Sequence, residues 1–442
     1  MDYFKVQKTL SLNGKINISG AKNASLPLLF SSLLAEGKHS FSNIPNLEDV
    51  KLSFKLLKHF GCNIEVNTKP VFDKKALSLS SVVIDVPKKL KNIAPYELVR
   101  KMRASILCLG PLIARCHQAK VSLPGGCAIG LRPVDYHIDG LQALGADLKL
   151  LDGYIEANAD GLLKGANINL KFPSVGATEN IIMAASLAAG STCINNASLE
   201  PEVLDLIFYL KKMGADIIFS SKQEDGLDKN KIIINGVERL KASCHKVIPD
   251  RIEAGTFLIA GAMTGGDLHL NNVKACHLES LLKNLQASGC KIEVEKCGDD
   301  SGEDKIYLSS DKSITAVNIK TEVYPGFPTD LQAQWMSMMT QANGKSIIEE
   351  TIFENRFMHI PELNRLGANI KVNKSTAFIS GYAKLKSASV MATDLRAGSS
   401  LVLAGLVATG ETQIHRIYHL DRGYEFLEHK LSSVGAIIKR CR

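Results

Sequence analysis

The segment Ser122-Leu123-Pro124-Gly125-Gly126-Cys127-Ala128-Ile129-Gly130-Leu131-Arg132-Pro133-Val134-Asp135 sets a cysteine among glycines, with a guanidinium shortly after it. Pro and three Gly within seven residues specify a loop that can move or bring backbone close to a ligand. A nearby cation and exposed backbone lower a thiol pKa, so Cys127 can trade a proton or attack an electrophile. A passive loop cysteine satisfies the same residues. Other candidates are mostly cationic. Lys22 and Asn23 open an apolar helix, where an amine and free backbone N–H groups bind an anion, although Asn23 can equally be an ordinary cap. Arg103 and Arg396 stand at the starts of similar apolar stretches, and Arg356 and Arg422 sit ahead of amphipathic ones. Asp330, in Phe327-Pro328-Thr329-Asp330, is a carboxylate at a helix start, fit for capping or for work as a base. Singly, each Arg reads as a surface ion pair; together, cations at equivalent ends of repeated units describe a convergent anion site.

Several chemistries are excluded. His415 and His419 lack the intervening residues of a zinc motif, and no metal is expected. Gly344-Lys345-Ser346 ends like a phosphate loop, but Met339 stands where that loop needs glycine. The net charge of +8 is spread along the chain with no Lys/Arg tract interleaved with aromatics, so nucleic acid is not an expected partner. The first ten residues lack the apolar core of a signal peptide, and the longest apolar runs are too short to cross a bilayer, so no membrane partner is expected. Ten Cys without a CxxC pair fit free thiols in a reducing cytoplasm.

The elements that must position these residues follow a repeat. Gly61, Gly145, Gly214, Gly289, Gly367 and Gly435 each end an amphipathic helical pattern, take one small residue, and restart as a strand about every 75 residues. Ahead of each lies a small-residue-rich helix, apolar nearly all round and therefore buried, at residues 24–36, 103–114, 177–189, 252–264, 331–342 and 395–409. Each unit reads helix, strand, helix, strand, strand. A strand at residues 15–19 and the abrupt end after Gly435 imply that residues 1–21 complete the sixth unit. The expected architecture is α/β, in two domains of three repeated α/β units each, with buried helices and outer sheets. Residues 22–248 would form one domain, carrying the Cys127 loop, and residues 1–21 with 249–442 the other. The cleft between them is the expected place for ligands.

These motifs, in this order along nearly the whole chain, resemble the enolpyruvyl transferases, specifically the branch that acts on UDP-N-acetylglucosamine. The matching residues include Gly20-Ala21-Lys22-Asn23, the Cys127 loop, Ser174-Val175-Gly176-Ala177-Thr178, Phe327-Pro328-Thr329-Asp330, Glu354-Asn355-Arg356-Phe357-Met358-His359 and Asp421-Arg422-Gly423-Tyr424-Glu425. The resemblance implies two three-unit domains forming an inside-out α/β barrel fold. It implies transfer of the enolpyruvyl group of phosphoenolpyruvate to the sugar's 3′-hydroxyl, by addition–elimination through a tetrahedral intermediate, with no cofactor. The product would feed peptidoglycan precursor synthesis. It makes Cys127 the acid toward the phosphoenolpyruvate methylene, capable of a covalent pyruvate adduct and open to the epoxide antibiotic fosfomycin. It makes Asp330 the acceptor of the hydroxyl proton. Lys22, Asn23, Arg132, Arg356, Arg396 and Arg422 would contact phosphoenolpyruvate. Asn23, Arg103, Arg132, Pro133, Val134, Asp135, Tyr136, Phe172, Pro173, Ser174, Val175, Asp330 and Ile352 would surround the sugar nucleotide. Two other readings stay open beside it, a relative acting on shikimate 3-phosphate and a non-catalytic polyanion-binding repeat protein. An RNA-end-modifying enzyme built on a similar unit is a weaker third, because its expected nucleotide-linked His has no counterpart.

Overall fold

The computed structural model describes residues 2–72, 76–123, 134–220, 230–298 and 303–442. Six Gly sites end six helices, and all six glycines have a left-handed φ between 92° and 106°. Each Gly N–H bonds the carbonyl three residues back, and the next N–H reaches five back, as in Gly214 to Lys211 and Ala215 to Leu210. That double bond is the Schellman motif, which satisfies the last carbonyls and turns the chain sharply into a strand. The following residue must be small to tuck beneath the helix. Cys62, Ala146, Ala215, Cys290 and Ala436 are all buried there.

Six four-stranded sheets result, all with one order. A short entry strand pairs in parallel with the strand after the buried helix. That strand pairs antiparallel with the last strand of the unit, and the last pairs antiparallel with the one after the Gly turn. In the first unit these are Cys244–Lys246, Gly37–Ser42, Ala76–Val86 and Asn63–Val71. The entry strand of the first unit thus arrives from the far end of the third.

The described residues fall into two compact units, one of residues 20–248 and one of residues 2–19 with 249–442. The N-terminal strands are distributed differently from the expectation. Tyr3–Gln7 completes the sixth sheet, between Glu411–His415 and Ile437–Cys441. Gly14–Asn17, within the segment expected to finish the sixth unit, instead pairs in parallel with Gly266–Val273 of the fourth. Elsewhere a strand that leads into a buried helix pairs with the strand leaving it, but the two crossing strands stay with the sheet of the unit they leave: Gly14–Asn17 runs on into the helix Lys22–Ser31, and Cys244–Lys246, which pairs with Gly37–Ser42, runs on into Arg251–Thr264. The N-terminal residues therefore serve two sheets.

Within each unit the helices are the core. In the helix Arg251–Thr264 every residue except Arg251 is buried. The sheets alternate buried and half-exposed positions, the mark of one face on the core and one toward solvent. The buried helices are shorter than their apolar patterns. Residues 24–36 yield the helix Lys22–Ser31 with a 3₁₀ turn at Ser32–Leu34, and residues 103–114 begin as 3₁₀ at Arg103–Cys108 before the helix Leu109–Cys116. Such helices touch closely where they carry glycine. A Cβ on Gly110 would lie 2.4 Å from the Asn180 carbonyl oxygen, and one on Gly140 would lie 2.3 Å from Ile181 Cδ1. Asn180 uses the proximity: its Oδ1 accepts from Gly110 N–H at 2.7 Å, and its Nδ2 donates to the Ile106 carbonyl and to His137 Nδ1. One buried amide thereby satisfies polar groups on three helices that apolar contact alone would leave orphaned.

Candidate active site

Asp330 lies in the 3₁₀ turn Thr329–Leu331, which feeds the buried helix Gln332–Met339. Its side chain caps neither element. Instead Oδ1 accepts from Arg356 Nη2 at 2.7 Å, and Oδ2 accepts from Arg396 Nη2 at 2.8 Å. Both arginines are buried, at 4% and 5% exposure, so these are not surface pairs, while the Asp330 side chain keeps 26% of its surface open. Burial opposes ionisation of Asp330, but the Arg396 and Arg356 guanidiniums outweigh it and hold the carboxyl well below its usual range. Burial would lower the pKa of Arg396, yet Asp330 raises it further.

Several neighbours brace this trio. Arg396 sits in the first turn of Leu395–Val407, whose N-cap Asp394 accepts from the Arg396 and Ala397 N–H groups. The Arg396 guanidinium stands 5.6 Å from the Tyr424 ring centroid, and that of Arg356 5.5 Å from Phe353. Gln334 Nε2 donates to the Asp330 carbonyl at 3.0 Å and to the Tyr424 hydroxyl at 3.1 Å. Glu350, buried, accepts from Thr329 Oγ1 and from the N–H groups of Ile352 and Phe353, so it ties the Ile352 loop to the turn carrying Asp330. Burial pushes His359, beside Asp394 and Arg356, down to about 4 and keeps its ring neutral. Arg422 ends the 3₁₀ helix Ile417–Arg422.

In the other unit, Lys22 is the first residue of its helix, whose N-cap is Ala21 with no side-chain cap. Asn23 is therefore not the cap, and it is exposed. Lys22 Nζ lies 3.4 Å from buried Asp49 Oδ2. Arg103 opens its 3₁₀ helix, half-buried, and adds to the burial that pushes His137 down to about 4. Val134 is the N-cap of the helix Asp135–Ala143, where Asp135 is exposed and Tyr136 half-buried. Phe172 is exposed, Pro173 is half-buried, Ser174 caps the helix Val175–Ala185 by accepting from Ala177 N–H, and Val175 begins that helix. Cys127, Arg132 and Pro133 lie outside the described residues.

The residues that sequence reasoning passed over are Asp49, Gln334, Glu350 and Tyr424 as supports of the site. Asp49 resembles an ordinary first-turn helix acid, and Glu350 simply follows a strand. Only the three-dimensional contacts distinguish them.

The family model for EPSP synthase (3-phosphoshikimate 1-carboxyvinyltransferase) matches residues 6–431. A protein from Caldanaerobacter subterraneus subsp. tengcongensis named UDP-N-acetylglucosamine 1-carboxyvinyltransferase 1 is 50% identical over 437 residues, covering 99% of each chain. One from Erwinia tasmaniensis, named UDP-N-acetylglucosamine 1-carboxyvinyltransferase, is 48% identical over 441 residues, or 100% of this chain and 99% of its own. The enolpyruvyl transferase NikO from Streptomyces tendae superposes with a TM-score of 0.84 at 22% identity, over 99% of this chain and 98% of its own. EPSP synthase from Acinetobacter baumannii gives 0.77 at 18% identity over 100% of both chains. At such identities the two structures speak for the fold alone, whereas the family match and the curated relatives span nearly every residue. The chain belongs to the EPSP synthase family of enolpyruvyl transferases.

Proposed function

We propose that the chain transfers the enolpyruvyl group of phosphoenolpyruvate to the 3′-hydroxyl of UDP-N-acetylglucosamine, releasing phosphate and supplying peptidoglycan precursor synthesis. The observation that carries this reading is identity at half of all positions, over 99% of both chains, with a protein named for that reaction. Free thiols at all nine described cysteines support a cytoplasmic setting. Among the described residues no helix is long and apolar enough to cross a membrane.

The chemistry gives each group a task. Phosphoenolpyruvate is a trianion, and several cations must offset its charge if water is to be excluded. Lys22, Arg132, Arg356, Arg396 and Arg422 supply that charge, with Asn23 beside Lys22. Arg103, Arg132–Tyr136, Phe172–Val175, Asp330 and Ile352 surround the sugar nucleotide, with Asn23 reaching both substrates. In the addition step the 3′-oxygen bonds to C2 of phosphoenolpyruvate, its proton passes to Asp330, and C3 takes a proton from the Cys127 thiol. In the elimination step the C2–O(phosphate) bond breaks, C3 loses a proton, and the double bond returns. Only proton donors, proton acceptors and fixed charge enter these steps.

The reading is tested by incubating the full-length chain with both substrates and identifying the product by NMR. The expected product carries an enolpyruvyl ether at the sugar's 3′-oxygen. An unmodified sugar nucleotide, with phosphoenolpyruvate intact, would refute it.

A further inference from the structure

Asp330 is assigned above as the base, yet both of its carboxylate oxygens are already occupied. Arg356 Nη2 holds one at 2.7 Å and Arg396 Nη2 holds the other at 2.8 Å. A carboxylate with both oxygens in charge-assisted hydrogen bonds has little tendency to take a proton. The same two guanidiniums are among the cations that phosphoenolpyruvate requires. Arg396 also has a second terminal nitrogen, Nη1, that is buried and has no hydrogen-bond partner among the described residues. A buried charged donor without a partner is costly and marks a place where an acceptor is missing.

The surroundings let the arginine heads exchange partners while Asp330 stays in place. The Asp330 backbone is fixed separately, through Gln334 Nε2 on its carbonyl oxygen. The same amide bonds Tyr424, whose hydroxyl also pairs with Thr256 Oγ1 at 2.9 Å and whose ring neighbours the Arg396 guanidinium. Glu350 holds the start of the turn through Thr329. With the carboxylate a quarter open, an anion can approach the cluster without first unfolding it.

We propose, on the reading that this site turns over phosphoenolpyruvate, that Arg356 and Arg396 pass from Asp330 to the anionic groups of the substrate when it binds, so that the substrate frees its own base. No covalent bond changes in this exchange. Ion pairs to Asp330 are replaced by ion pairs to substrate, and Asp330 becomes able to accept the hydroxyl proton only once the electrophile is present. In the empty enzyme Asp330 competes with the substrate for the arginines. It thereby lowers anion affinity and keeps two buried cations compensated.

The exchange makes a prediction opposite to that of a simple substrate-binding carboxylate. Asp330→Asn keeps the size of the side chain but cannot compete for guanidinium, so inorganic phosphate and phosphoenolpyruvate should each bind the full-length variant more tightly. The expected gain in calorimetry is about tenfold, equal to about 1.4 kcal/mol, while turnover is lost. The gain should shrink in the Arg396→Gln background and vanish when Arg356→Gln is added, because the released donors are then gone. An Asp330→Asn variant that binds phosphate no more tightly than wild type would overturn the exchange. So would a gain that persists undiminished with Arg396→Gln, since that is a mere change of net charge. If Asp330→Asn does not fold, ¹³C NMR of labelled aspartate in the wild-type chain decides. The Asp330 carboxyl should titrate at higher pH with saturating phosphate than without it, and an unchanged titration contradicts the proposal. Wild-type protein that releases no phosphate from phosphoenolpyruvate with any acceptor would instead sink the functional reading, and the binding comparison would still report on the exchange.

Discussion

The proposed reaction gives Asp330 and Cys127 the two proton transfers of its addition step, and each is open to a separate test. Asp330→Asn removes the proton acceptor, and kcat should fall by about 10²–10⁴ in a steady-state assay. Loss of a structural ion pair alone would instead appear as a lowered melting temperature with kcat nearly intact. For Cys127, the family resemblance makes fosfomycin the probe. Mass spectrometry should find one alkylated site, and Cys127→Asp should abolish alkylation while retaining turnover, because a carboxylic acid still donates a proton. Unchanged labelling of that variant would show that another thiol reacts. At this scale the sequence displayed residue types but not partners. Asp330 announced itself as an acid at a helix start, and capping was the ordinary expectation. Its actual partners lie 26 and 66 residues away, one in the turn ahead of Ile360–Arg365 and one in the first turn of Leu395–Val407, a separation that local pattern cannot bridge. Glu350 and Gln334 give no signal, since their partners are backbone groups that any residue offers and the hydroxyls of Thr329 and Tyr424, 21 and 90 residues away.

Helix ends were the most legible elements, because Gly at a left-handed position has a local cause. Two glycine substitutions separate local cause from packing. Gly214 has φ of 105°, and an added Cβ would meet nothing within 4 Å, so Gly214→Ala should cost only backbone strain, about 1–2 kcal/mol. Gly140 sits mid-helix, where Ala suits the backbone, but its Cβ would fall 2.3 Å from Ile181 Cδ1. Gly140→Ala should therefore cost about 1–3 kcal/mol through overpacking, and Gly140→Ala with Ile181→Val should recover part of it. Urea midpoints for the three variants check both statements; no recovery in the double variant would point to backbone rather than packing. Strand assignment was less legible than helix ends. The expectation that the strand Gly14–Asn17 finishes the sixth unit fails, because this crossing strand pairs with Gly266–Val273 of the fourth and not with the strand beyond the helix Lys22–Ser31 that the chain enters next. The first strand, Tyr3–Gln7, has no local signature, since its sheet partners lie some four hundred residues on.

The whole molecule is a sixfold repeat of one α/β unit. Its three buried, neutral histidines give it a distinct response to acid. Burial pushes His39, His137 and His359 each down to about 4, against 6.5 for an unhindered ring. Between those values the unfolded chain binds more protons than the folded one, so the stability these rings contribute is complete above pH 6.5 and drains as pH falls toward 4. Urea unfolding should weaken over that window, and His39→Gln should flatten the slope by up to one proton, about 1.4 kcal/mol per pH unit. An unaltered slope would mean that His39 titrates normally in the folded state. Sixfold repetition and two three-unit bodies could be read from the glycine spacing, but choice of acceptor could not, since the build is shared with the shikimate-type enzymes. That choice is the central claim, and phosphate release from phosphoenolpyruvate tests it most directly, measured with each acceptor in turn. The account requires release that depends on UDP-N-acetylglucosamine and is absent with shikimate 3-phosphate; release that depends on shikimate 3-phosphate instead would contradict it.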